Sequence, residues 1–215
     1  SSGTFDVTQV GKGAGPTTVE YLVVAGGAGG GGGYYAGGGG AGGLRTNLSG
    51  HPLAPGNPSF TVTAGPTSYA VTIGGGGTPG FFPPAGSDAG NDAGQGVDSY
   101  FGPPSTPQGI TSKGGGKGMG RATSVSAATD GYPGGSGGGI AYNGPAVGYG
   151  YNPSTPGPAL SGAALPNPYT ITQGNPGGAS PGSNFGSGGG GAGGAGGAGT
   201  PPPYGADGGI GVQVA

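Results

Sequence analysis

The 215-residue chain holds 65 Gly and 23 Pro but only five Lys plus Arg, seven Asp plus Glu and no Cys, for a formal net charge of −2. So few cations cannot build the basic patch of a nucleic-acid binder, and no apolar run approaches the ~20 residues of a membrane-spanning helix. Disulfide stapling and thiolate metal sites are excluded by the missing cysteine, and collagen by stretches such as "GGAGGGGG" (26–33), which break its three-residue rule.

In chain order, the β-branched and aromatic runs predict strands at Thr4–Val10, Val19–Ala25, Ser59–Thr63, Ser68–Ile73, Tyr169–Thr172 and Ile210–Val214. "SFTVTAGPTSYAVTI" reads as a hairpin across "AGPT", with Pro66 in the turn. Glycine-dominated tracts lie at 26–33, 37–43, 74–77, 114–120, 134–139, 188–199 and 205–211. Segments richer in Pro, Asn and aromatics separate them at 44–58, 78–97, 140–167 and 200–204. No amphipathic α-helix is found; "RATSVSAATD" (121–130) comes closest, and its Ser/Thr content suits a loop or strand edge. Beginning at Ser1 rather than Met, the chain is expected to be a processed product or a piece of a longer protein.

Gly and Pro at this level, without a fixed period, ordinarily mean low complexity or disorder. Apolar side chains are too sparse to offset the ordering entropy of a conventional core. Glycine has one other route to order, the polyglycine-II helix, with three residues per turn, ~3.1 Å rise and no internal hydrogen bonds. Its N–H and C=O groups point outward and must find partners on neighbouring helices. Bare glycine lets those neighbours approach closely enough to bond, with Cα–H···O contacts in support. The expected fold is therefore mostly irregular and all-β: a polyglycine-II bundle, or sandwich, framed by short β-strands, with essentially no α-helix. An N-terminal strand and linker (1–18), read as a possible inter-subunit arm, precede the glycine-rich domain proper (19–215).

"YLVVAGGAGGGGG" (21–33), "YAVTIGGGG" (69–77), "GITSKGGGKGMG" (109–120), "GGSGGG" (134–139) and "GGIGVQV" (208–214) resemble the glycine-rich domains of tailed-phage fibre proteins, of the type found in marine and cyanobacterial phages. They are also similar to the tip adhesins of long tail fibres, which are sandwiches of polyglycine-II helices. The resemblance runs over 19–215. It implies a non-enzymatic structural and adhesive module of an extracellular virion appendage. The glycine motifs would form the scaffold, and the segments between them would contact a host surface glycan or outer-membrane protein. A homo-oligomer or a fibre partner is implied, with no cofactor, no nucleic acid and no membrane insertion. The alternative is a subunit of a self-assembling extracellular filament. In that reading Thr4–Val10 pairs with a neighbouring protomer's sheet edge by strand addition, and Phe5, Val7 and Val10 fill its groove.

Candidate chemistry is thin. "GGSGG" around Ser136 fits the G-x-S-x-G nucleophile pattern, and His51 is the one histidine that could serve as base. In so glycine-rich a chain the pattern costs nothing, and no strand-to-helix context surrounds it. "GSDAGNDAGQGVD" (86–98) offers Asp88, Asn91, Asp92 and Asp98 as oxygen donors in the manner of one calcium-roll turn. Such rolls need stacked copies, so a turn-rich loop is expected instead. Asn47-Leu48-Ser49 is a formal glycosylation sequon, read as unmodified. The best recognition surface is the 140–167 segment. Tyr142, Tyr149 and Tyr151 can stack on sugar faces there, and Asn143 and Asn152 can supply amide hydrogen bonds. The competing reading is that these rings cap the end of the bundle.

Overall fold

The computed structural model describes residues 2–11, 13, 15–55, 57, 59–63, 65–81, 91–102, 109–121, 134–141, 173–179, 185–199 and 205–213. Strands form where β-branched and aromatic residues gather. They are β1 (Ser2–Val7), β2 (Thr18–Val19), β3 (Leu22–Val24), β4 (Leu44–Thr46), β5 (Phe60–Thr61), β6 (Thr67–Thr72), β7 (Ser99–Phe101) and β8 (Ile110–Ser112). No α-helix occurs among the described residues. An antiparallel sheet runs in the order β1-β6-β7-β8, and β2-β5 and β3-β4 form separate antiparallel pairs. The β3-β4 pair packs against β7 and β8.

The chain's larger apolar cluster lies among these strands. Val7, Tyr21, Val23, Phe60, Val62, Tyr69 and Ile110 are buried together, with Val10, Val19 and Phe101 packed against them. Phe60 anchors the cluster, 4.3 Å from the Phe101 ring and edge-on to Tyr69 at 5.2 Å, centroid to centroid. Burial raises the pKa of the Tyr21 phenol, partly offset by the Arg45 charge. Burial in turn lowers that of Arg45.

Beyond the strands the same chain continues as polyglycine-II rods. β3 runs into rod 25–32, β6 into rod 74–81 and β8 into rod 113–121, while rods 37–43 and 91–97 lead into β4 and β7. The period of three is written in the hydrogen bonds. The N–H groups of Ala25, Ala28 and Gly31 donate to the carbonyls of Gly43, Gly40 and Gly37 at 3.0, 2.9 and 2.9 Å. Those of Gly26, Gly29 and Gly32 donate to Val97, Gly94 and Asn91 at 3.0, 3.1 and 2.9 Å. Gly115, Gly118 and Arg121 donate back to the carbonyls of Gly26, Gly29 and Gly32. A three-residue step on both partners is the signature of two threefold helices lying side by side.

Extended over the chain, the pattern is a sandwich. Rods 74–81, 25–32, 37–43, 185–191 and 205–211 bond in that order in one layer, through pairs such as Gly77 to Gly27, Gly38 to Ser187 and Gly209 to Gly189. Rods 91–97, 113–121, 134–140, 173–179 and 193–199 form the second, through Gly96 to Gly115, Gly116 to Ser136, Gly137 to Asn175 and Gly196 to Pro176. Cross-layer bonds are staggered, so rod 37–43 bonds to both 113–121 and 134–140. Rod spacing leaves no room for side chains between neighbours. A Cβ at Gly31 would lie 1.9 Å from the Met119 carbonyl oxygen, and one at Gly40 2.2 Å from that of Ser136.

Serine and asparagine serve where the backbone pattern ends. Ser99 Oγ accepts from the Gly74 N–H at 2.9 Å, Ser112 Oγ donates to the Val23 carbonyl at 2.7 Å, and Ser187 Oγ accepts from Ile140 N–H at 2.7 Å. All three serines are almost fully buried. The Asn175 amide closes the turn between rods 185–191 and 193–199 by donating to the carbonyls of Gly191 and Ala192.

Several sequence expectations change. The expected hairpin across "AGPT" does not form: β6 is held by β1 on one side and β7 on the other, which leaves β5 to pair with β2. Gly65 turns the chain at φ 100°, and the Thr63 N–H donates to the Tyr69 hydroxyl at 2.7 Å. Val19–Ala25 breaks into β2 and β3, because the backbone around Tyr21 bonds instead to the side chains of Asn47 and Thr46. Ile210–Gln213 is not a strand; Ile210 accepts from the Gly193 N–H as part of a rod. Within 78–97, read as a separating segment, residues 78–81 and 91–97 are rods. Thr78 and Pro79 are tolerated there because they face outward, and proline's fixed φ suits this helix. The predicted strand Tyr169–Thr172 and residues 122–130 lie outside the described residues.

Two outcomes follow. Gly31→Val and Gly40→Val each force a side chain into backbone and are expected to cost about 3 kcal/mol or more. Gly75→Ala, where a Cβ meets nothing within 4 Å, is expected to melt like the parent. Thermal unfolding of the three variants checks this, and parent-like melting of the two valine variants would contradict the rod packing. The second outcome concerns alkali. Because the folded Tyr21 pKa is raised, its contribution is fully present below the unfolded value of about 10 and is lost as pH rises through the folded value. Melting temperatures between pH 8 and 11 should fall above about pH 10, and less steeply in Tyr21→Phe.

Candidate functional site

The hydrogen-bond register gives the sandwich two unlike ends. All the strands and the large apolar cluster lie at one, where Ala25, Gly43, Lys113 and Gln173 are level with each other. At the other, Gly32 bonds to Asn91 and Arg121, Gly37 to Met119, Ile140 to Ser187, and Gly199 to Ala179. Residues Phe81, Asn91, Arg121, Ala141, Ala179, Phe185, Gly199 and Gly205 therefore lie toward this distal end, whereas Gly134 and Gln173 lie toward the strands. A small buried cluster of Met119, Ile140 and Ala141 sits beneath it.

The distal end carries exposed aromatic surface. Rods 25–32 and 37–43 are joined by Gly33, Tyr34, Tyr35 and Ala36 in a tight turn, with φ 95° at Gly33 and 57° at Tyr35. A positive φ is uncommon at a side-chain-bearing residue and costs on the order of 1–3 kcal/mol, sustained by the structure around it. The rings of Tyr34 and Tyr35 stand 6.4 Å apart, at 53% and 36% exposure. Arg121 lies with its guanidinium carbon 5.9 Å from the Tyr35 ring centroid, a cation–π distance. Phe81, 62% exposed, belongs to the rod whose backbone touches Gly32.

The residues expected to carry recognition, Tyr142, Asn143, Tyr149, Tyr151 and Asn152, lie outside the described residues. Of the expected inter-subunit strand, Phe5 is in β1 opposite Tyr69 of the same chain, Val7 is buried in the strand-end cluster, and Val10 packs against it. Within one molecule this segment is thus an edge strand of the sheet, five of its six residues exposed.

The side chains weighed for chemistry are engaged structurally. Ser136 is fully buried, its Oγ donating to the Gly191 carbonyl at 3.2 Å. His51 sits in the 47–57 turn with Nδ1 accepting from the Leu53 N–H at 3.1 Å, so no hydrogen bond links it to Ser136. Asp98 caps rod 113–121 at its Gly114 N–H and pairs with Lys113 at 2.7 Å. Asp92 does the same at the other end, with Gly120 N–H at 2.9 Å and Lys117 at 3.3 Å. Asn91, the third of these oxygen donors, accepts from the Phe81 N–H at its side-chain Oδ1 and from the Gly32 N–H at its backbone carbonyl, and Asp88 lies outside the described residues. Among the described residues no group of three or more His, Asp or Glu could hold a metal. The Asn47 amide spans two backbone groups, accepting from Tyr21 N–H at 2.7 Å and donating to the Val19 carbonyl at 3.1 Å.

At the strand end an apolar hollow of about 260 Å³ opens between β3 and the sheet, lined by Phe5, Leu22, Val24, Val71, Ile73 and Phe101 among others. Phe5, Leu22, Val24 and Ile73 are all exposed there. Sequence reasoning passed over this hollow and over Tyr34, Tyr35, Phe81 and Arg121. The available signal was the "YY" that interrupts an otherwise unbroken glycine and alanine run at 25–43.

A family model described as a glycine-rich domain matches residues 1–215. No curated protein and no solved structure matches the chain. From its first residue to its last, the chain belongs to the family of glycine-rich domains.

Proposed function

We propose that the chain is a non-enzymatic structural and adhesive module of an extracellular appendage, of the kind carried by tailed phages as fibre tips. The observation that supports this most is the polarity of the sandwich. Strands and the apolar hollow occupy one end, and the described residues on both sides of 82–90, 180–184 and 200–204 lie toward the other, as do Arg121 and Ala141. Loops carry recognition and a rigid scaffold positions them, so an end of the sandwich at which several chain connections are flanked suits a binding surface. The strand end, with Phe5, Leu22, Val24 and Ile73 exposed around its hollow, is the natural side for a fibre partner. The distal end would contact a surface glycan or an outer-membrane protein.

A second reading, the filament subunit, draws on β1. It is an edge strand joined to the rest by residues 8–17, and exchange of β1 between molecules would pair it with β6 of a neighbour in the same register. In the chain, which has no cysteine, Thr4→Cys with Ala70→Cys places a disulfide across directly paired positions and locks β1 onto its own β6. Filaments that survive this lock in electron micrographs would exclude strand exchange.

For the adhesive reading, Tyr142, Tyr149 and Tyr151 are replaced together by Ala, and adsorption to a panel of bacterial cells is measured beside thermal stability. The expected result is adsorption weakened at least tenfold, about 1.4 kcal/mol, with an unchanged melting temperature. Unchanged adsorption with a lowered melting temperature would assign the rings to capping the bundle instead.

A further inference from the structure

We propose that Tyr34, Tyr35, Phe81 and Arg121 form a saccharide-binding platform at the distal end, selective for sugars that carry a carboxylate or phosphate. The proposal rests on the adhesive reading above and names the chemistry of its ligand.

Four features on one end of the sandwich converge on this assignment. Three aromatic side chains, Tyr34, Tyr35 and Phe81, are exposed at 53%, 36% and 62% in a chain with 11 Tyr, 6 Phe and no Trp. All of them attach within a few residues of Gly32 or of the backbone that touches it. Of the other seven Tyr and Phe among the described residues, Tyr21, Phe60 and Tyr69 are buried in the strand-end cluster, Phe101 packs against it, and Phe5 is exposed at the strand end. Exposing these rings forgoes burial that the apolar-poor chain could have used.

The backbone is bent to present them. Tyr35 holds φ 57°, where glycine would sit without strain, although glycine occupies nearly every neighbouring position. A tyrosine kept at that cost in a polyglycine run is an outlier of the kind found at ligand contacts. Arg121 supplies the charge. Its backbone N–H is fixed to the Gly32 carbonyl at 3.0 Å, and its guanidinium carbon stands 5.9 Å from the Tyr35 ring centroid. A guanidinium braced on a ring keeps its planar fork oriented, the geometry that matches a carboxylate or phosphate. Flat aromatic faces suit the C–H faces of a pyranose, and the guanidinium beside them suits an anionic substituent on the same sugar.

The test uses the full chain on an array of neutral, uronate-bearing and phosphate-bearing oligosaccharides, with adsorption to bacterial cells measured in parallel. The expected result is retention of anionic over neutral sugars by about tenfold. Whichever anionic arm is retained identifies carboxylate or phosphate. Tyr34→Ser should lower retention of all of them. Arg121→Gln should remove the anionic preference and leave neutral binding, with melting unchanged. Tyr35→Gly, which keeps the turn and relieves its φ, should weaken binding while raising stability slightly. Retention by Tyr34→Ser and Arg121→Gln equal to the parent would overturn the platform. So would a parent that adsorbs to cells yet retains no oligosaccharide; the receptor is then a protein, and the adhesive reading stands. A parent that binds neither array nor cells removes both.

Discussion

Everything in this molecule depends on one interaction, the N–H···O=C bond between neighbouring threefold rods. A polyglycine-II helix satisfies none of its own polar groups, so an isolated rod has no reason to persist. Set into a staggered lattice, rod 25–32 bonds to four others: 37–43, 74–81, 91–97 and 113–121. Each bond is worth little net, about 0.5–1.5 kcal/mol. Their number and the density of the lattice offset a backbone entropy that is largest for glycine. The demand for glycine is steric. With a neighbouring carbonyl oxygen about 2 Å from an added Cβ at positions such as Gly26, Gly29 and Gly32, no other residue fits.

The strands then serve a second purpose, which is to set register. A rod of pure glycine looks the same after a shift of one residue, so backbone bonding alone does not fix which residue faces which. The β3-β4 pair does: Val24 opposite Leu44 dictates that Ala25 meets Gly43, and the three-residue step carries that choice to Gly31 and Gly37. The β6-β7 pairing fixes Val71 opposite Phe101 in the same way, ahead of rods 74–81 and 91–97. The aromatic cluster around Phe60 and Phe101 holds those strands in place, so a small amount of side-chain packing at one end fixes the alignment of a much larger backbone lattice. Buried Ser99, Ser112, Ser136 and Ser187 act as local pins, since each bonds across to a different rod or strand.

The rods and β3 are legible in the sequence because their signals are strong: unbroken glycine, and a β-branched run leading straight into it. The strand partners are not. β4, β7 and β8 are three residues each, and their pairing is imposed by the rods they adjoin rather than by any periodicity of their own. The mistaken hairpin has the same origin. Local turn chemistry around Pro66 favours it, and the long-range claim of β1 and β7 on β6 prevails. Rods 78–81 and 91–97 were hidden by Thr78, Pro79, Gln95 and Val97, because a threefold helix at the rim of the lattice needs glycine on its inward side alone. The distal platform was missed for a different reason. Tyr34 and Tyr35 adjoin each other in sequence, but Phe81 and Arg121 come from remote rods and are neighbours only through the lattice.

A scaffold held by main-chain bonds separates stability from surface identity more completely than a side-chain core does. In an ordinary domain the residues that fold the chain also constrain the loops, because packing reaches the surface through interdigitated side chains. Here the lattice ends at the last bonded glycine of each rod. Replacing Tyr34 alters neither the Gly31 to Gly37 bond below it nor the Gly32 to Asn91 bond beside it. Only residues that reach back into the lattice escape this freedom. Asp92 and Asp98, whose carboxylates take the Gly120 and Gly114 N–H groups, are such residues, and so is Asn175 at its turn. The distal side chains can therefore change in size, charge and hydrogen bonding with little consequence for folding, while a single methyl group on an inward glycine is not tolerated.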